Sequence, residues 1–277
     1  MKPDSGRWQR VVDDTEVQAI AARFVDARLT CRALADYPGQ VPFDLDTAYR
    51  CQDAAIELWP DEIGGWKVGR IPSSLEERFK SDRLAGPIFR PTIHHSDSAR
   101  PIDLPVYPGG FAAVEAEFVV VVGADAPRDK LTWSRDDAAD MMADLCIGVE
   151  MASSPLKSIN DLGPAAIASD FGNNAGLIVG PSIRNWRSRS LDSMTCEAFI
   201  EGVSVGEGGA FNLTGGPTRS VQFMLELAAK RGRPLRRGDV IATGQTTGIH
   251  DILIGQTGRI TFGTDGEIRC KATANSM

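Results

Sequence analysis

The stretch from Val114 to Val122 places two glutamates, Glu115 and Glu117, inside an otherwise apolar run. Side chains two residues apart in a β-strand point to the same face, so both carboxylates would project to one side of a strand whose valines require burial. Two close like charges raise each other's pKa, and an unpaired buried charge is costly. The pair therefore requires a proton, a basic side chain or a cation. The alternative is a half-exposed strand with both glutamates on its wet face.

A third glutamate, Glu150, ends a second short apolar run that begins at Leu145. Three carboxylates with no histidine nearby in the sequence are hard oxygen ligands, which suit Mg²⁺ or Mn²⁺ rather than zinc. We therefore predict a divalent-metal site formed by Glu115, Glu117 and Glu150. The prediction requires the two apolar β segments to converge in the fold.

Length and charge exclude several classes of protein. The chain has 277 residues, enough for one large domain or a domain with a smaller attachment. No apolar run approaches the roughly 18 to 20 residues that a membrane span needs, and the N-terminus lacks a signal-peptide core. The net charge of −7, from 30 Lys+Arg against 37 Asp+Glu, disfavours a polyanionic partner. We expect neither a membrane nor a nucleic-acid partner.

The five cysteines are scattered and form no C-x-x-C pair. This pattern indicates free thiols in a reducing cytoplasm. Cys146 lies in an apolar segment, so we expect a buried inert thiol rather than a nucleophile.

The chain changes character near residue 63. Apolar residues at helical spacing predict helices over Val17–Leu29 and Asp46–Trp59, the second stopped by Pro60. Beyond Gly64, short β-branched runs alternate with glycine and proline, interrupted by one long predicted helix over Thr218–Lys230. We therefore predict an α+β chain with a small helical part (1–62) and a mostly β part (63–277). The predicted strands include 66–68, 116–122, 147–151, 176–179, 240–243 and 259–262.

Three further segments carry candidate site residues, each with a plain structural alternative. Lys67 sits in a glycine-flanked apolar strand, where it would bind an anion or transfer protons, or snorkel to the surface. Asp170 precedes a glycine- and asparagine-rich stretch that is also typical of a turn. The segment Thr243–Gly248 offers hydroxyl and backbone N–H groups to a ligand, or forms a hairpin turn.

The order of these motifs resembles the fumarylacetoacetate hydrolase superfamily, and within it the branch of 2-keto-4-pentenoate hydratases and 4-oxalocrotonate decarboxylases. The resemblance covers nearly the whole chain. It is carried by the helical segment ending at Trp59 and by the motifs Gly65–Gly69, Val114–Phe118, Val149–Met151, Asp170–Gly176, Gly216-Pro217 with its helix, and Gly238–Gly244.

The resemblance implies a mixed β-sheet roll that assembles as homo-oligomers, with the N-terminal helices packed beside it. Glu115, Glu117 and Glu150 match the metal-binding carboxylates of the family, and Lys67 matches its active-site lysine. Asp170 matches the aspartate that begins a D-N-A-S-like stretch. We accordingly predict Lys67 and Asp170 as catalytic residues, and Lys67, Thr243 and Gly244 as substrate-binding residues.

The chain departs from the family pattern at three places. The family's D-S-R after the third glutamate is replaced by Ser153-Ser154-Pro155, which removes an arginine near the site. Phe171 stands where asparagine is usual. An aspartate expected before a glycine after the lysine is matched by Asp82 only with a shift relative to Gly86.

The implied reaction is hydration of a 2-hydroxy-2,4-dienoate to a 4-hydroxy-2-oxo acid, with the metal chelating a small 2-oxo or 2-hydroxydienoic acid. Decarboxylation of a 4-oxalocrotonate-like acid is the nearest alternative, because the same chelate serves as an electron sink. Hydrolysis of an acylpyruvate ranks lower, because none of the histidines, His94, His95 and His250, precedes Lys67 or belongs to an H-x-x-E pattern. A non-catalytic metal-bearing protein is the remaining alternative.

Overall fold

The computed structural model describes residues 12–96 and 100–276, which form an α+β fold on two mixed β-sheets. The described α-helices are α1 (Asp14–Leu29), α2 (Leu45–Leu58), α3 (Ser73–Phe79), α4 (Arg135–Asp140), α5 (Pro164–Ser169) and α6 (Gly216–Lys230). The described strands are β1 (Ile63–Arg70), β2 (Arg83–Phe89), β3 (Ile93–His95), β4 (Ile102–Val106), β5 (Phe111–Val122), β6 (Met142–Ser154), β7 (Asn174–Ser182), β8 (Thr195–Ile200), β9 (Val203–Gly209), β10 (Val240–Ala242), β11 (His250–Asp251), β12 (Thr257–Thr261) and β13 (Glu267–Ala274).

Both N-terminal helices begin at aspartate caps. The side chain of Asp13 accepts a hydrogen bond from the backbone N–H of Glu16, and Asp44 does the same for Thr47. Helix α2 ends shortly before Pro60, which cannot continue a helix. The predicted helical N-terminal segment is thus observed, whereas the division of the chain into parts 1–62 and 63–277 stays a prediction.

The larger sheet has the strand order β2-β1-β10-β5-β6-β7-β3, with β11 also pairing with β5. Strand β1 pairs with β10 in parallel and with β2 in antiparallel fashion, and β5, β6 and β7 are antiparallel neighbours. The smaller sheet has the order β4-β13-β12-β8-β9. These curled mixed sheets, with the helices packed beside them, confirm the predicted mixed β roll.

The two faces of β5 have different environments. Val114, Ala116, Phe118, Val120 and Val122 belong to the main hydrophobic core. The opposite face carries Val119, which packs with Ile88, Cys146 and Leu177, and it also carries Glu115 and Glu117. The two-residue period of the strand therefore directs both carboxylates to one buried face.

Three short helices, α3, α4 and α5, lie where the sequence predicted only β segments and turns. They span six or seven residues each, which is too short for hydrophobic periodicity to register. Among the described residues, no helix is both long enough and apolar enough to cross a membrane.

Candidate metal centre and active site

The antiparallel register of β5 and β6 brings the three predicted glutamates together. Glu115 is the direct cross-strand partner of Glu150, and Glu117 pairs with Gly148 two positions away. One carboxylate oxygen of each glutamate lies within 4.8 Å of the others, and all three residues are buried. The two apolar segments thus converge as the metal prediction requires, and the role of the glutamates as ligands stays a prediction.

Lys67 reaches the same cluster from β1, two strands away from β5 in the sheet. Its Nζ lies 3.2 Å from Glu150 Oε1, and its side chain is buried. Burial lowers the pKa of Lys67, but the carboxylates of Glu150, Glu115 and Glu117 outweigh that effect and raise it to about 12. Lys67 is therefore a protonated ammonium group in the site.

Two neutral groups hold the carboxylates in place. Asn174 Nδ2 donates to Glu150 Oε1 at 2.9 Å, and the backbone N–H of Gly244 donates to Glu117 Oε2 at 2.7 Å. The other oxygens, Glu117 Oε1 and Glu150 Oε2, are buried without a hydrogen-bond partner among the described residues. A buried carboxylate oxygen without a partner is unfavourable, so the cluster is incomplete as the protein alone builds it.

The charge of the cluster leads to the same conclusion. Burial raises the pKa of Glu115 to about 7, opposed by Lys67 and reinforced by Glu150. Burial also raises the pKa of Glu117 well above its usual value, and Glu150 and Glu115 add to the effect. If all three carboxyl groups are ionised, they leave two negative charges uncompensated beside the one ammonium group, and without a cation the raised pKa values show that protons take up part of this charge. Hard oxygen donors with this charge fit a divalent cation such as Mg²⁺ or Mn²⁺.

Asp170 lies in a separate buried ion pair with Arg28, a residue of α1. Arg28 Nε donates to Asp170 Oδ1 at 2.5 Å, and Ser154 Oγ donates to Asp170 Oδ2 at 2.5 Å. The guanidinium also donates to the backbone oxygen of Asn174 at 2.9 Å. Both carboxylate oxygens of Asp170 are therefore occupied, an arrangement suited to positioning Asn174 and, through it, Glu150.

Arg28 is a site-region residue that the sequence analysis missed. Arg28 is only 4% exposed and lies on the same face of α1 as Phe24 and Ile20. A charged residue on this apolar helical face was the feature of the sequence that could have identified it. Its Nη2 also donates to the backbone oxygen of Ser153 at 3.3 Å. Arg28 thus brings a guanidinium group to the Ser153-Ser154-Pro155 segment, where this chain lacks the arginine of the family's D-S-R motif.

Close backbone packing fixes the surroundings of Lys67. A Cβ atom at Gly86 would lie 2.0 Å from the carbonyl oxygen of Phe171, so no larger residue fits there without a backbone shift. Gly172 has a positive φ of 66°, and a Cβ atom there would lie 2.9 Å from Lys67 Cδ. The aromatic ring of Phe171, the residue that departs from the family pattern, packs against Phe89 with ring centroids 5.0 Å apart.

The remaining predicted residues lie beside the carboxylates or apart from them. Thr243 Oγ1 donates to the backbone oxygen of Phe118 at 2.7 Å, next to Gly244, and a substrate-binding role for both stays a prediction. Asp82, the shifted family match, pairs with Arg83 and Arg219. Burial raises the pKa of Cys146 to about 12, as expected for an inert thiol. The carboxylate cluster found among the described residues includes no histidine.

No family model matches the chain. The chain is similar to a 2-keto-4-pentenoate hydratase from Burkholderia vietnamiensis, with 23% identity over 239 residues, which cover 84% of this chain and 88% of that protein. A 2-keto-4-pentenoate hydratase from Paraburkholderia phymatum matches the same shares at 22% identity.

Solved structures share the fold. A 4-oxalocrotonate decarboxylase from Pseudomonas putida G7, complexed with magnesium and adipate, superposes with a TM-score of 0.77 at 18% identity, covering 95% of this chain and all of that one. A fumarylpyruvate hydrolase from Pseudomonas aeruginosa, in complex with Mn²⁺ and pyruvate, gives a TM-score of 0.56 at 14% identity, covering 78% and 91%. The chain has the fumarylacetoacetate hydrolase fold, and the resemblance predicted from its motifs is confirmed. The two curated relatives named above are both 2-keto-4-pentenoate hydratases.

Proposed function

We propose that the protein is a divalent-metal-dependent lyase that hydrates a 2-hydroxy-2,4-dienoate to a 4-hydroxy-2-oxo acid. The observation that carries the proposal is the incomplete buried cluster, in which Glu117 Oε1 and Glu150 Oε2 find no hydrogen-bond partner in the described part of the chain, beside a protonated Lys67. The similarity to 2-keto-4-pentenoate hydratases over 84% of the chain supports the choice of reaction.

Glu115, Glu117 and Glu150 would hold Mg²⁺ or Mn²⁺, because they offer hard oxygen donors and, once ionised beside Lys67, a net charge of two negative units. When bound, the cation supplies a Lewis acid for the carboxylate and 2-oxygen of the substrate, and for the negative charge that develops there. Gly244 orients one of these ligands by donating its N–H to Glu117. Asn174 orients another by donating to Glu150.

Lys67 would act as a cation and proton donor rather than as a base. Its raised pKa keeps Nζ protonated at neutral pH, so it attracts the substrate carboxylate and holds a proton that can pass to the substrate. Asp170 would act from a distance, because Arg28 and Ser154 occupy both of its oxygens. We propose that Thr243 and Gly244 contact the substrate at the edge of the cluster.

The test is a substrate panel measured on protein stripped of metal and then reloaded with Mg²⁺. We expect dienoate consumption, followed by its ultraviolet absorbance, only in the reloaded protein. Glu150→Gln should remove the Mg²⁺-dependent rate, whereas Glu77→Gln, an exposed matched control on α3, should retain it. Metal-dependent turnover unchanged in Glu150→Gln would refute the assignment.

Decarboxylation of a 4-oxalocrotonate-like acid is the second candidate. It is favoured by the shared fold with 4-oxalocrotonate decarboxylases, which extends over 95% of this chain. The same substrate panel separates the two reactions, because only decarboxylation releases carbon dioxide. Carbon dioxide release with no hydration of the dienoate would move the protein to this alternative.

We further propose that the protein works as a cytoplasmic homo-oligomer. Its described cysteines are all free thiols, in keeping with a reducing compartment. Several large apolar side chains are exposed on the single chain, including Leu253 at 70% and Val203 at 65%. Sedimentation analysis tests the assembly, and a monomer at micromolar concentration would contradict it.

A further inference from the structure

Three glycines border the buried side chain of Lys67. Gly86 is its direct cross-strand partner in the antiparallel pairing of β1 with β2. Gly172 lies over this pair, because a Cβ atom there would be 2.9 Å from Lys67 Cδ and 2.9 Å from Gly86 Cα. Gly69 is two residues further along β1, on the same face, and a Cβ atom there would lie 3.9 Å from Nζ. At these three places backbone atoms, rather than side chains, bound the lysine.

Gly172 is the middle residue of a left-handed turn, Phe171–Asn173. The φ values of Phe171, Gly172 and Asn173 are 51°, 66° and 63°. Glycine and asparagine adopt this conformation readily, whereas a bulky residue such as phenylalanine rarely does. The turn contacts β2 directly, because a Cβ atom at Gly86 would lie 2.0 Å from the carbonyl oxygen of Phe171 and 2.6 Å from Gly172 Cα. The left-handed conformation therefore brings the backbone of the turn onto the pair formed by Lys67 and Gly86.

Contacts on both sides hold the turn in place. The ring of Phe171 packs edge-on against Phe89 and Trp59, with centroid distances of 5.0 and 5.5 Å. The guanidinium carbon of Arg28 lies 5.1 Å from the centroid of the same ring. Asn174, the first residue after the turn, donates its side-chain N–H to the glutamate cluster. These contacts offset the unfavourable backbone conformation of Phe171.

The turn restricts a side chain that is flexible elsewhere. A lysine has a four-carbon stem with many rotamers, yet Lys67 is buried with Nζ 3.2 Å from Glu150 Oε1. A methyl group at position 172 would meet both the lysine stem and the backbone of Gly86 at 2.9 Å. The backbone of Gly86 is fixed by strand pairing, so the stem of Lys67 would move first. That movement would take the ammonium group away from its place beside Glu150.

We propose that Gly172 is a positioning residue, and that the left-handed turn confines the stem of Lys67 so that the ammonium group stays where the substrate carboxylate binds. The inference rests on the proposed function, which places that carboxylate beside Lys67 and the metal. Gly172 acts only through Lys67 in this scheme. Its effect on ligand binding should therefore vanish when the side chain of Lys67 is removed.

Calorimetry with oxalate on Mg²⁺-saturated protein tests the inference, because oxalate is an unreactive ligand with the two oxygen groups of a 2-oxo acid. We expect Lys67→Ala to weaken oxalate binding about 10- to 100-fold, as for the loss of a hydrogen bond to a charged group. Gly172→Ala should weaken it about tenfold when Lys67 is present. In the Lys67→Ala background, Gly172→Ala should have no further effect, whereas a merely structural role would weaken binding in both backgrounds.

The matched control is Gly232→Ala. Gly232 has a similar φ of 70°, and a Cβ atom there would have nothing within 4 Å, so this variant carries the same backbone strain without a contact. It should keep the oxalate affinity of the wild type. Phe171→Leu is a second variant, which loosens the turn by removing the ring contacts and decides the question if Gly172→Ala does not fold. We expect a smaller loss of affinity than in Gly172→Ala, again only when Lys67 is present.

Four results would overturn the inference while Mg²⁺-dependent oxalate binding still supports the proposed function. They are an equal loss in both backgrounds, no loss in either turn variant, the same loss in Gly232→Ala, and an oxalate affinity unchanged in Lys67→Ala. Oxalate binding that does not depend on Mg²⁺ would overturn the proposed function itself, and the inference with it.

Discussion

Two buried ionic clusters lie side by side in this protein and differ in how completely the chain satisfies them. The glutamate cluster has excess negative charge when ionised and raised pKa values at Glu115 and Glu117. Two of its carboxylate oxygens have no hydrogen-bond partner in the parts of the chain that the structure describes. In the Arg28–Asp170 pair, by contrast, charges balance and both carboxylate oxygens accept hydrogen bonds. Burial lowers the pKa of Arg28, but Asp170 and Tyr107 outweigh burial and raise it.

The difference separates the proposed ligand site from an ion pair that the chain completes by itself. A balanced, fully hydrogen-bonded pair needs nothing from outside, and breaking it leaves a buried charge alone. An unbalanced cluster is unfavourable until a cation binds, so removing one of its charges should stabilise the folded state of the metal-free protein. Asn174 joins the two clusters, because its side chain donates to Glu150 and its backbone oxygen accepts from Arg28.

The largest expected effect is on the balanced pair. Arg28→Gln and Asp170→Asn should each lower the free energy of unfolding by about 3 to 5 kcal/mol, because each leaves its buried partner unpaired. Urea denaturation measures the change, and Arg32→Gln at an exposed position is the control. The double variant should lose less than the sum. Losses below about 1 kcal/mol, the value typical of exposed pairs, would show that the two clusters do not differ as described.

Glu117→Gln should have the opposite effect on stability and a large effect on activity. Without metal, the variant should unfold at the same or a higher temperature than the wild type, because a repelling buried carboxylate is gone. With Mg²⁺, kcat/KM should fall at least about 100-fold, equivalent to about 2.7 kcal/mol. Thermal melts in chelator and in Mg²⁺, beside steady-state rates, give both numbers. If the metal-free variant is less stable than the wild type, the glutamate cluster does not differ from the Arg28–Asp170 pair in the way described.

Asn174→Ala sharpens the comparison, because it removes the side-chain hydrogen bond to Glu150, together with a longer one of 3.5 Å to the backbone oxygen of Gly176, and keeps the backbone oxygen that accepts from Arg28. We expect Mg²⁺ affinity to fall between about 10- and 100-fold, the range for lost partners of metal ligands. Stability without metal should change far less than in Arg28→Gln. Calorimetric titration of Mg²⁺ provides the measurement, and an unchanged affinity would show that Asn174 does not orient the ligand.

The smallest expected effect is the pH dependence of metal binding. Mg²⁺ must displace the proton that Glu115, with a pKa of about 7, retains in the metal-free protein. Affinity should therefore be at least about tenfold weaker at pH 6 than at pH 8, because the raised pKa of Glu117 adds to the effect of Glu115, and protons should be released on binding. Titrations in buffers of different ionisation enthalpy count those protons. An affinity independent of pH would contradict the raised pKa.

The same raised pKa fixes the sign of the stability change without metal. The folded pKa of Glu115, about 7, lies above its ordinary value of 4.5, so the folded state holds this proton more tightly than the unfolded chain. Its contribution to stability is full below about pH 4.5 and is lost as pH rises through 7. Mg²⁺ should restore stability over that window.

The elements that depend on local pattern could be predicted from the sequence. The alternation along β5 predicted one buried face for Glu115 and Glu117, and the helical spacing predicted α1, α2 and α6. The short helices α3, α4 and α5 escaped, because six or seven residues give too little periodicity. The ion pair of Arg28 was not predicted for a different reason, because its partner Asp170 lies 142 residues away in the chain.

The sequence by itself determined which side chains share a strand face, because the two-residue period is a local property of the backbone. It also supplied the hard oxygen donors and, through the order of its motifs, the resemblance to a family. Only the tertiary structure decided which charges are compensated. Lys67, Asn174 and Gly244 reach the glutamates from separate elements, and the pairing of β1 with β2 sets Arg70 against Arg83. Charge balance is a sum over neighbours in space, and those neighbours are set by strand pairing rather than by sequence order.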